Sequence, residues 1–459
     1  MQNHAVRSEI RSFIRSLDID AYVVGGAVRD ELLGLPQRDE DFVVPRVDQA
    51  GLRALLGPHG RVEDMDVHGQ LVGVRLYPND RSIRALAPAG IELTPPRAER
   101  STGPGHRDFT IVGDPSISLD EDMARRDFTI NAMARRLSDG SLLDPFDGQG
   151  DLARRMIRTV TPTSFVEDPL RLVRALRFVS QLAFDIEPET QTQMQVNAFG
   201  LSHVSMERIG GGIKADGMGE LSKLLLGRAP GKALLLARDT GVLTEVIPEF
   251  LPTIGYSLHT TRQPFPLEEH IFAVVQNAAD ASARLVVRLA CLLHDLGKVE
   301  ADARRESHAL IGARIARGVL ARLRYPTDVQ QAVARIVAGH AFDLDGPIDE
   351  LHARRFLAEH GEELAFDLIA HKHADLGAKP VPAGEHEALA ELARLVQQER
   401  LQPHRIGDLA VTGDDLLSIG FNEGPQVGQT LALLLDTVVT DPTLNNRDRL
   451  LARARQELE

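Results

Sequence analysis

Apolar and polar residues follow two different patterns along the chain. Up to about residue 115, short apolar and β-branched runs alternate with turn residues, a pattern that predicts strands. These runs are AYVV (21–24), EDFVV (40–44), LVGVRLY (71–77), SIRALA (82–87) and GIELT (90–94). A helix is predicted between the first two runs, over AVRDELLG (27–34), with Gly34 as its C-terminal cap.

From about residue 150 onward, apolar residues recur at every third and fourth position, which predicts amphipathic helices. Clear examples are DPLRLVRALRFVSQLAF (168–184), GKALLLARDTGVL (231–243), RLVVRLACLLHDLG (284–297) and HALIGARIARGVLARLR (308–324). Stretches rich in Pro, Gly and polar residues predict linkers at 252–266 and 378–385, and a long loop at 95–122. The predicted fold class is therefore α+β, with a small α+β unit followed by helical domains.

Composition narrows the class of protein. The 459 residues suffice for roughly three domains. The chain contains no run of eighteen apolar residues, the length that a membrane-spanning helix needs. The N-terminal residues lack the apolar core of a signal peptide, so we expect a cytoplasmic protein. Cys291 is the only cysteine, which excludes an internal disulfide. The net charge of −14 argues against a protein that coats nucleic acid, but permits a local basic groove.

The sharpest chemical signal is in GGAVRDELLGLPQRDEDFVV (25–44). Asp39 and Asp41 are two residues apart, so on one strand both carboxylates would point to the same face and could hold Mg²⁺. The pair Gly25-Gly26 lets the backbone approach a phosphate closely, and Arg29 could add positive charge. Alone, the glycines could form a plain turn and the aspartates a solvated strand end. Their order along the chain favours a nucleotidyltransferase.

These residues resemble a known family. GGAVRD followed by the Asp-x-Asp pair is similar to the class II branch of the polymerase-β-like nucleotidyltransferases, which contains the bacterial CCA-adding tRNA nucleotidyltransferases and their poly(A) polymerase relatives. ARRDFTINAMA (124–134) matches the family's RRDFTxNA motif, and FVEDPLRLVRALRF (165–178) resembles its EDxxRxxRAxRF helix. The resemblance implies four domains: a mixed-sheet nucleotidyltransferase head (1–160), a helical neck and body (161–255), an HD domain (256–380) and a helical tail (381–459).

The same resemblance implies roles for individual residues. Asp168 and Arg171 would bind the base edge of CTP or ATP, so that protein replaces a nucleic-acid template. The remaining motif residues would meet the triphosphate or ribose (Arg126, Arg174, Arg177) or position the sugar or the motif backbone (Asp127, Asn131). Glu92 is a candidate third carboxylate, or an exposed strand residue. The 95–122 loop would let a single site change from C to A.

A second signal lies in the helical part of the chain. His270 and the pair His294-Asp295 fall inside apolar helical runs, where buried charge without a partner is costly. The pattern resembles the HD-domain phosphohydrolases, with Asp375 closing the set around a divalent metal of unknown identity. His308 and His340 could serve a second ion. The alternative is a structural HD fold that has kept some of these ligands.

The expected function is therefore template-independent addition of CMP and AMP to the tRNA 3′ end. The reaction would use CTP and ATP, with Mg²⁺ held by Asp39 and Asp41, and release pyrophosphate. An additional HD-type phosphohydrolase activity is expected. Alternatives are a poly(A) polymerase, an enzyme adding only CC or only A, an RNA-docking HD phosphohydrolase, and an RNA-binding scaffold with a dead transferase site.

Overall fold

The computed structural model describes residues 2–36, 40–67, 70–101, 109–113, 116–211, 217–257, 264–304 and 306–458. Contacts within the chain define two compact units, Met1–Pro248 and Glu249–Glu459. The boundaries of the four predicted domains stay a prediction. Asp39, residues 258–263 of the predicted linker at 252–266 and residues 212–216 of the glycine-rich GGGIKADGMG (210–219) lie outside the described residues.

The first unit combines strands and helices. Its strands are β1 (Tyr22–Val24), β2 (Asp41–Val43), β3 (Gly60–Val67), β4 (Gln70–Pro78), β5 (Ile91–Thr94), β6 (Arg97–Ser101), β7 (Phe109–Gly113), β8 (Ala134–Arg136), β9 (Leu142–Leu143), β10 (Met156–Ile157) and β11 (Asp185–Ile186). Its helices are α1 (Gln2–Ser16), α2 (Gly26–Leu32), α3 (Gln49–Leu56), α4 (Arg81–Leu86), α5 (Leu119–Ala124), α6 (Gly148–Arg154), α7 (Ser164–Glu167), α8 (Leu170–Leu182), α9 (Pro188–Asn197), α10 (Met206–Ile209), α11 (Glu220–Leu225), α12 (Pro230–Asp239) and α13 (Val242–Val246).

Seven strands form one mixed sheet in the order β3-β4-β5-β2-β1-β8-β9. Strands β2 and β5 are parallel, and the other neighbours in the sheet are antiparallel. This confirms the predicted α+β class with a mixed-sheet head. The register pairs Val24 with Asp41, so the start of β2 lies beside the end of β1, where the Gly25-Gly26 turn begins.

Two predictions before residue 125 are wrong. SIRALA is helix α4 rather than a strand, because the Asp80 side chain accepts hydrogen bonds from the backbone N–H groups of Ser82 and Ile83 and caps the helix. The 95–122 stretch is only partly a loop, since β6 and β7 pair from Arg97 with Gly113 to Ser101 with Phe109. Strand β6 has the polar sequence RAERS, so the alternation of apolar residues did not predict this hairpin.

Helix α8 organises the helical part of the first unit. Most of its side chains are buried, and it packs against α11 and α12. The predicted helix at 231–243 is broken into α12 and α13, because Gly241 adopts a φ of 76° between them. Helix α8 therefore carries Arg171, Arg174 and Arg177 on a helix that is mostly buried rather than on a solvated one.

The second unit is helical throughout its described residues. Its helices are α14 (Leu267–Asp280), α15 (Leu285–Leu293), α16 (Lys298–Arg304), α17 (His308–Arg322), α18 (Thr327–Gly339), α19 (Glu350–His360), α20 (Glu362–Leu376), α21 (Ala383–Glu399), α22 (Gly413–Ser418), α23 (Pro425–Thr440) and α24 (Arg447–Arg455). Helix α15 packs against α14, α17, α18 and α20. In the part of the chain that the structure describes, no helix is both long and apolar enough to cross a membrane.

Candidate functional site

A tight turn shapes the end of the head sheet. Strand β1 runs into Gly25, whose φ of 72° is a backbone conformation that favours glycine. A Cβ atom at Gly25 would lie 2.5 Å from Arg126 Nη1, so any other residue here would displace the end of the Arg126 side chain. The Gly25 carbonyl accepts hydrogen bonds from the N–H groups of Val28 and Arg29, which starts α2. The turn therefore brings the end of β1 directly against Arg126 in the segment 124–134, here called the arginine motif.

Beside this turn lies a cavity of about 570 Å³, here called the head cavity. It is lined by Asp41 and by nine of the ten residues that the sequence predicts to bind nucleotide: Gly26, Arg29, Arg126, Asp127, Asn131, Asp168, Arg171, Arg174 and Arg177. The lining also includes Arg97, Arg125, Phe178, Gln181 and Arg208, which the site prediction missed. Eight arginines thus face three aspartates, an arrangement suited to a polyanion.

Glu92 is not among the residues that line this cavity. It lies on β5, one residue before Leu93, which pairs with Phe42 of β2. Its carboxylate forms an ion pair with Arg75 on the neighbouring strand β4. The structure therefore places Glu92 on the strand next to Asp41, but engaged with a cation of its own sheet.

Asp127 is the most highly connected carboxylate of the cavity. Its Oδ1 accepts hydrogen bonds from Asn131 Nδ2 at 2.9 Å and from the backbone N–H of Phe128 at 2.8 Å, and its Oδ2 accepts one from Arg174 Nε at 2.9 Å. Burial would raise the pKa of Asp127, but Arg174 and Asn131 outweigh burial and hold it well below its usual range. This buried pair stays ionised and fixes both side chains.

Asn131 extends this pairing to the glycine turn. Its Oδ1 accepts a hydrogen bond of 2.7 Å from Arg29 Nη1 on α2, while its Nδ2 donates to Asp127. A continuous hydrogen-bonded row therefore runs from Arg29 through Asn131 and Asp127 to Arg174. The row links α2, the arginine motif and α8, so three separate motifs form one rigid wall.

Arg177 contributes charge next to this wall. Its guanidinium lies over the Phe178 ring, 4.2 Å from the centroid, and its Nε is 3.0 Å from Glu220 Oε2. Burial and the neighbouring charge of Arg174 lower the pKa of Arg177 to about 10, so it is still a cation at neutral pH. The positive charges of Arg174 and Arg177 repel each other, and an anion bound in the cavity would reduce that repulsion.

Asp168 and Arg171 sit at the start of α8. Asp168 Oδ1 accepts a hydrogen bond of 3.1 Å from the backbone N–H of Leu170, and Arg171 Nη2 donates one of 2.6 Å to the carbonyl oxygen of Arg125. Arg171 is only 8% exposed. The base-reading pair of the prediction is thus brought to the cavity and held there by backbone contacts.

Asp122 does not line the cavity but holds two of its arginines, and it was missed from sequence. It is fully buried, accepts hydrogen bonds from Arg125 Nη2 at 2.8 Å and Arg126 Nη2 at 3.3 Å, and also accepts one from the backbone N–H of Arg97. Burial would raise the pKa of Asp122, but Arg125 and Arg126 outweigh burial and lower it. Its spacing of three and four residues from two arginines on EDMARR could have revealed it.

The second unit gathers histidines and aspartates at its core, here called the histidine centre: His270, His294, Asp295, His308, His340, His371 and Asp375. Every one of the six residues predicted for the HD metal is in this centre. His371 on α20 was missed, although it lies four residues before Asp375; its ring centroid is 4.9 Å from that of His294.

One half of the centre surrounds Asp295 Oδ2 and Asp375. His294 Nε2 is 3.2 Å from Asp295 Oδ2, and His270 Nε2 is 3.6 Å from the same oxygen. Asp375 Oδ1 lies 3.2 Å from His270 Nε2 and 4.0 Å from His294 Nε2. The ligand atoms of His270, His294 and Asp295 all lie within 4.8 Å of one another, so these three residues could hold one ion, with Asp375 beside them.

The buried polar atoms of the centre support a metal. Among the described residues, both ring nitrogens of His270 and His371, the Nε2 of His294 and the Oδ1 of Asp295 are buried without a hydrogen bond, whereas Asp295 Oδ2 has Lys298 Nζ at 2.6 Å. His294 Nδ1 is 2.8 Å from the carbonyl oxygen of Cys291 and donates to it, so its Nε2 lone pair faces the centre. Nitrogen and carboxylate ligands of this kind suit a divalent transition metal.

The charge state of the centre also suits a cation. Burial lowers the pKa of His340 to about 4, so this imidazole is neutral at neutral pH. Burial would raise the pKa of Asp295, but His294 and Lys298 outweigh it and keep the carboxylate ionised. Neutral imidazoles beside ionised carboxylates are the forms that bind metal.

Three stretches of the chain match known family models. Residues 21–158 match the poly A polymerase head domain, 183–253 the probable RNA and SrmB-binding site of polymerase A, and 267–398 the HD domain. Together with the sheet and the head cavity, these matches define a nucleotidyltransferase of the poly(A) polymerase type that carries an HD domain.

The relatives narrow this class further. The chain is 34% identical over 435 residues to the multifunctional CCA protein of Xanthomonas campestris pv. campestris (strain B100), covering 90% of this chain and 96% of the relative. It is 36% identical over 327 residues to the same-named protein of Azoarcus sp. (strain BH72), covering 70% and 73%. The chain belongs to the multifunctional CCA protein family.

Solved structures agree with this assignment. The Bacillus stearothermophilus CCA-adding enzyme in complex with CTP superposes with a TM-score of 0.69 and 26% identity, covering 98% of both chains. The Thermotoga maritima CCA-adding enzyme complexed with tRNA has the same fold, with a TM-score of 0.58 and 19% identity over 97% of this chain and 93% of that one.

Proposed function

We propose that this protein adds CMP and AMP, without a template, to the 3′ end of tRNA in the cytoplasm, using CTP and ATP and releasing pyrophosphate. The observation that carries the proposal is the head cavity, in which eight arginines face three aspartates beside a glycine turn. Planar guanidinium groups bind phosphate oxygens in pairs, so this lining suits a nucleoside triphosphate. Relatives described as CCA-adding enzymes supply the substrate class.

Three arginines of the head cavity would bind the triphosphate or ribose. Arg126 and Arg177 present positive charge toward the cavity, while Arg174 adds charge from a position fixed by Asp127. Gly25 and Gly26 allow the backbone to approach a phosphate closely. Asn131 and Asp127 keep this wall rigid, so little reorganisation is needed when nucleotide binds.

Asp168 and Arg171 select the base. A carboxylate accepts from an exocyclic amine, and a guanidinium donates to a ring nitrogen or carbonyl oxygen. Cytosine and adenine each offer an amine beside an acceptor, whereas uracil and guanine invert that order. The hydrogen bonds that anchor both residues at the start of α8 would hold this pattern in place. The β6–β7 hairpin lies in the segment proposed to change the site from C to A.

Asp39 and Asp41 are the proposed ligands of Mg²⁺, with Glu92 as a candidate third carboxylate. Asp41 fits this role, because it is exposed at the head cavity and offers the hard oxygen donors that Mg²⁺ prefers. Bound Mg²⁺ neutralises charge on the phosphate oxygens and favours the ionised nucleophile. The tRNA 3′ hydroxyl loses its proton and bonds to the α-phosphorus, and the bond from that phosphorus to pyrophosphate breaks.

A tailing assay tests this proposal. Transcripts of tRNA ending before CCA, after its first C and after CC would be incubated with each NTP alone and with CTP plus ATP, and products resolved to one nucleotide. Addition that stops at CCA is expected. Addition that stops at CC, or A added only to a CC end, indicates a split-function enzyme, and a long A tail indicates a poly(A) polymerase. No incorporation with Mg²⁺ or Mn²⁺ would overturn the transferase assignment.

The histidine centre favours a second activity, hydrolysis of phosphate esters. One divalent metal would be held by His270, His294, Asp295 and Asp375. A bound metal supplies an activated water and polarises the phosphate. Assays with a 2′,3′-cyclic nucleotide, a 2′-nucleotide and pyrophosphate, each with Mn²⁺, Ni²⁺ or Co²⁺, test this activity. Hydrolysis that persists in His294→Gln would exclude the centre as its site.

A further inference from the structure

Two side chains of the head cavity, Gln181 and Arg208, are not used in the nucleotide binding proposed above. Both line the cavity and are exposed. Among the described residues, neither side chain takes part in an ion pair or a hydrogen bond. They are therefore available to a ligand. The other seven arginines of the lining each contact another group of the chain: Arg29, Arg97, Arg125, Arg126, Arg171, Arg174 and Arg177.

Gln181 lies at the far end of α8 from the proposed base-reading pair. Arg171 and Gln181 are ten residues apart on this helix, which corresponds to about 15 Å along its axis. Arg174 and Arg177, which are proposed to bind the triphosphate or ribose, lie between them and line the same cavity. A nucleoside triphosphate has its base at one end and its γ-phosphate at the other. With the base at Arg171, the phosphates would follow α8 toward Gln181.

The glycine turn lies near the same end of α8. Helix α2 begins at this turn, and the guanidinium carbon of its Arg29 is 5.1 Å from the centroid of the Phe178 ring. Phe178 is three residues before Gln181, and residues three apart are neighbours on a helix surface. The backbone that is proposed to approach a phosphate is therefore beside the part of α8 that carries Gln181.

Arg208 reaches the cavity from a different element, the short helix α10. Helix α10 packs against α8 and α11. Helix α11 carries Glu220, whose Oε2 is 3.0 Å from Arg177 Nε on α8. Arg208 is therefore near the end of α8 that carries Arg177 and Gln181, and its guanidinium adds positive charge to that end of the cavity.

We propose that Gln181 and Arg208 bind the γ-phosphate of the incoming NTP and then the leaving pyrophosphate. During transfer, the 3′ hydroxyl oxygen of the tRNA bonds to the α-phosphorus and its proton passes to solvent. The bond from that phosphorus to the bridging oxygen breaks, and its electron pair stays on pyrophosphate. A guanidinium and an amide N–H that contact this group stabilise the charge as it forms. This inference rests on the nucleotide addition proposed above and adds the site of its leaving group.

The test measures the binding of pyrophosphate itself, so it does not depend on turnover. Full-length protein would be titrated with pyrophosphate, ATP and AMP in the presence of Mg²⁺ by isothermal calorimetry. In Arg208→Ala we expect the Kd for pyrophosphate and for ATP to rise about tenfold, and in Gln181→Ala about threefold, because contacts to a charged phosphate are lost. AMP has neither a β- nor a γ-phosphate, so its Kd should change by less than about twofold. Arg208→Lys keeps the charge and should recover most of the affinity.

A matched control is Arg84→Ala, which alters an exposed arginine on α4 that does not line the cavity and should leave all three Kd values unchanged. Circular dichroism would verify that each variant is folded. An equal loss of affinity for AMP and pyrophosphate, or no loss for pyrophosphate, would overturn the inference. A higher KM for tRNA in the tailing assay with unchanged pyrophosphate binding would also overturn it and assign the pair to the RNA backbone. Absence of tailing by a protein that shows the expected pyrophosphate effect would overturn the proposed addition and leave this phosphate site in place.

Discussion

The head cavity and the histidine centre both bury many polar groups, but they satisfy them differently. In the head cavity, Asp127 is paired with Arg174 and Asp122 with Arg125 and Arg126, so the buried carboxylates have cations from the chain itself. In the histidine centre, Asp295 and Asp375 each have a lysine of the chain at 2.6 Å, Lys298 and Lys379, but several buried ring nitrogens have no hydrogen bond among the described residues.

This difference indicates two ways to build a site. The head cavity is a positive surface whose arginines are held in place by carboxylates of the chain, an arrangement suited to an anion. The histidine centre is a set of buried nitrogen and oxygen donors that could hold a metal ion. A substitution in the first region should therefore change binding or stability, whereas a substitution in the second should change metal content.

The largest effect is expected at Asp41. We expect Asp41→Asn to reduce nucleotide addition by about 10³-fold, because several kcal/mol of charge stabilisation at the phosphates would be lost. The tailing assay measures this loss, and hydrolysis at the histidine centre serves as the internal control. Equal loss of both activities would contradict separate sites.

The converse substitution is His294→Gln. We expect it to lower phosphate-ester hydrolysis by about 10²-fold, because a metal ligand and its fixed tautomer would be lost. Nucleotide addition should stay within about twofold of the unaltered protein. Hydrolysis rates on a 2′,3′-cyclic nucleotide measure the effect, and a matching fall in tailing would show that the two regions are not independent.

Asp127→Asn tests whether the head wall is a stabilising element. Removing one charge of this buried pair leaves Arg174 with the more distant Glu220, whose Oε1 is 3.9 Å from Arg174 Nη1, and we expect a loss of about 3 kcal/mol in the free energy of unfolding. Because the folded-state pKa of Asp127 is depressed, its contribution is complete above the unfolded pKa of about 3.9 and is lost as pH falls further. Urea unfolding at pH 7 and pH 3 should show the variant's deficit shrinking at the lower pH.

The smallest effect is expected at Asp122. Asp122→Asn weakens the hold on Arg125 and Arg126, so we expect the KM for CTP to rise about tenfold with less change in kcat. Asp151→Asn is a matched control, since Asp151 is equally buried and holds Arg154 and Arg158 away from the cavity lining. A similar rise in KM in both variants would show that Asp122 acts only through stability.

Sequence reasoning found the residues whose spacing is local. Asp127, Asn131, Asp168 and the arginines of α8 stand in short motifs, and their helix or turn carries them to the cavity together. Glu220 was missed because it acts across elements, on Arg177 of α8. Asp122 pairs with arginines three and four residues further along its own segment, a local signal that the prediction did not use. His371 was missed because its role depends on the packing of α20 against α15 and α18.

The errors in the fold have similar causes. The strand predicted at SIRALA is helix α4, because a single capping residue outside the run, Asp80, decides its start. In the β6–β7 hairpin, the polar strand β6 pairs with residues eight or more positions away. A search for local apolar alternation therefore cannot predict this pairing. Helix periodicity was more reliable, since the buried face of α8 repeats within the segment itself.

The hydrogen-bonded row through Asn131 has a direction. Its amide accepts at one end, from Arg29, and donates at the other, to Asp127, so the two ends cannot be exchanged without setting donor against donor. Aspartate has the same length but no donor in its ionised form, and would place two carboxylates face to face. Glutamine has both groups but is one methylene longer. The uncharged Asn131 side chain thus connects the cation Arg29 to the anion Asp127. Neither aspartate nor glutamine can replace it with the same length and the same donor and acceptor groups.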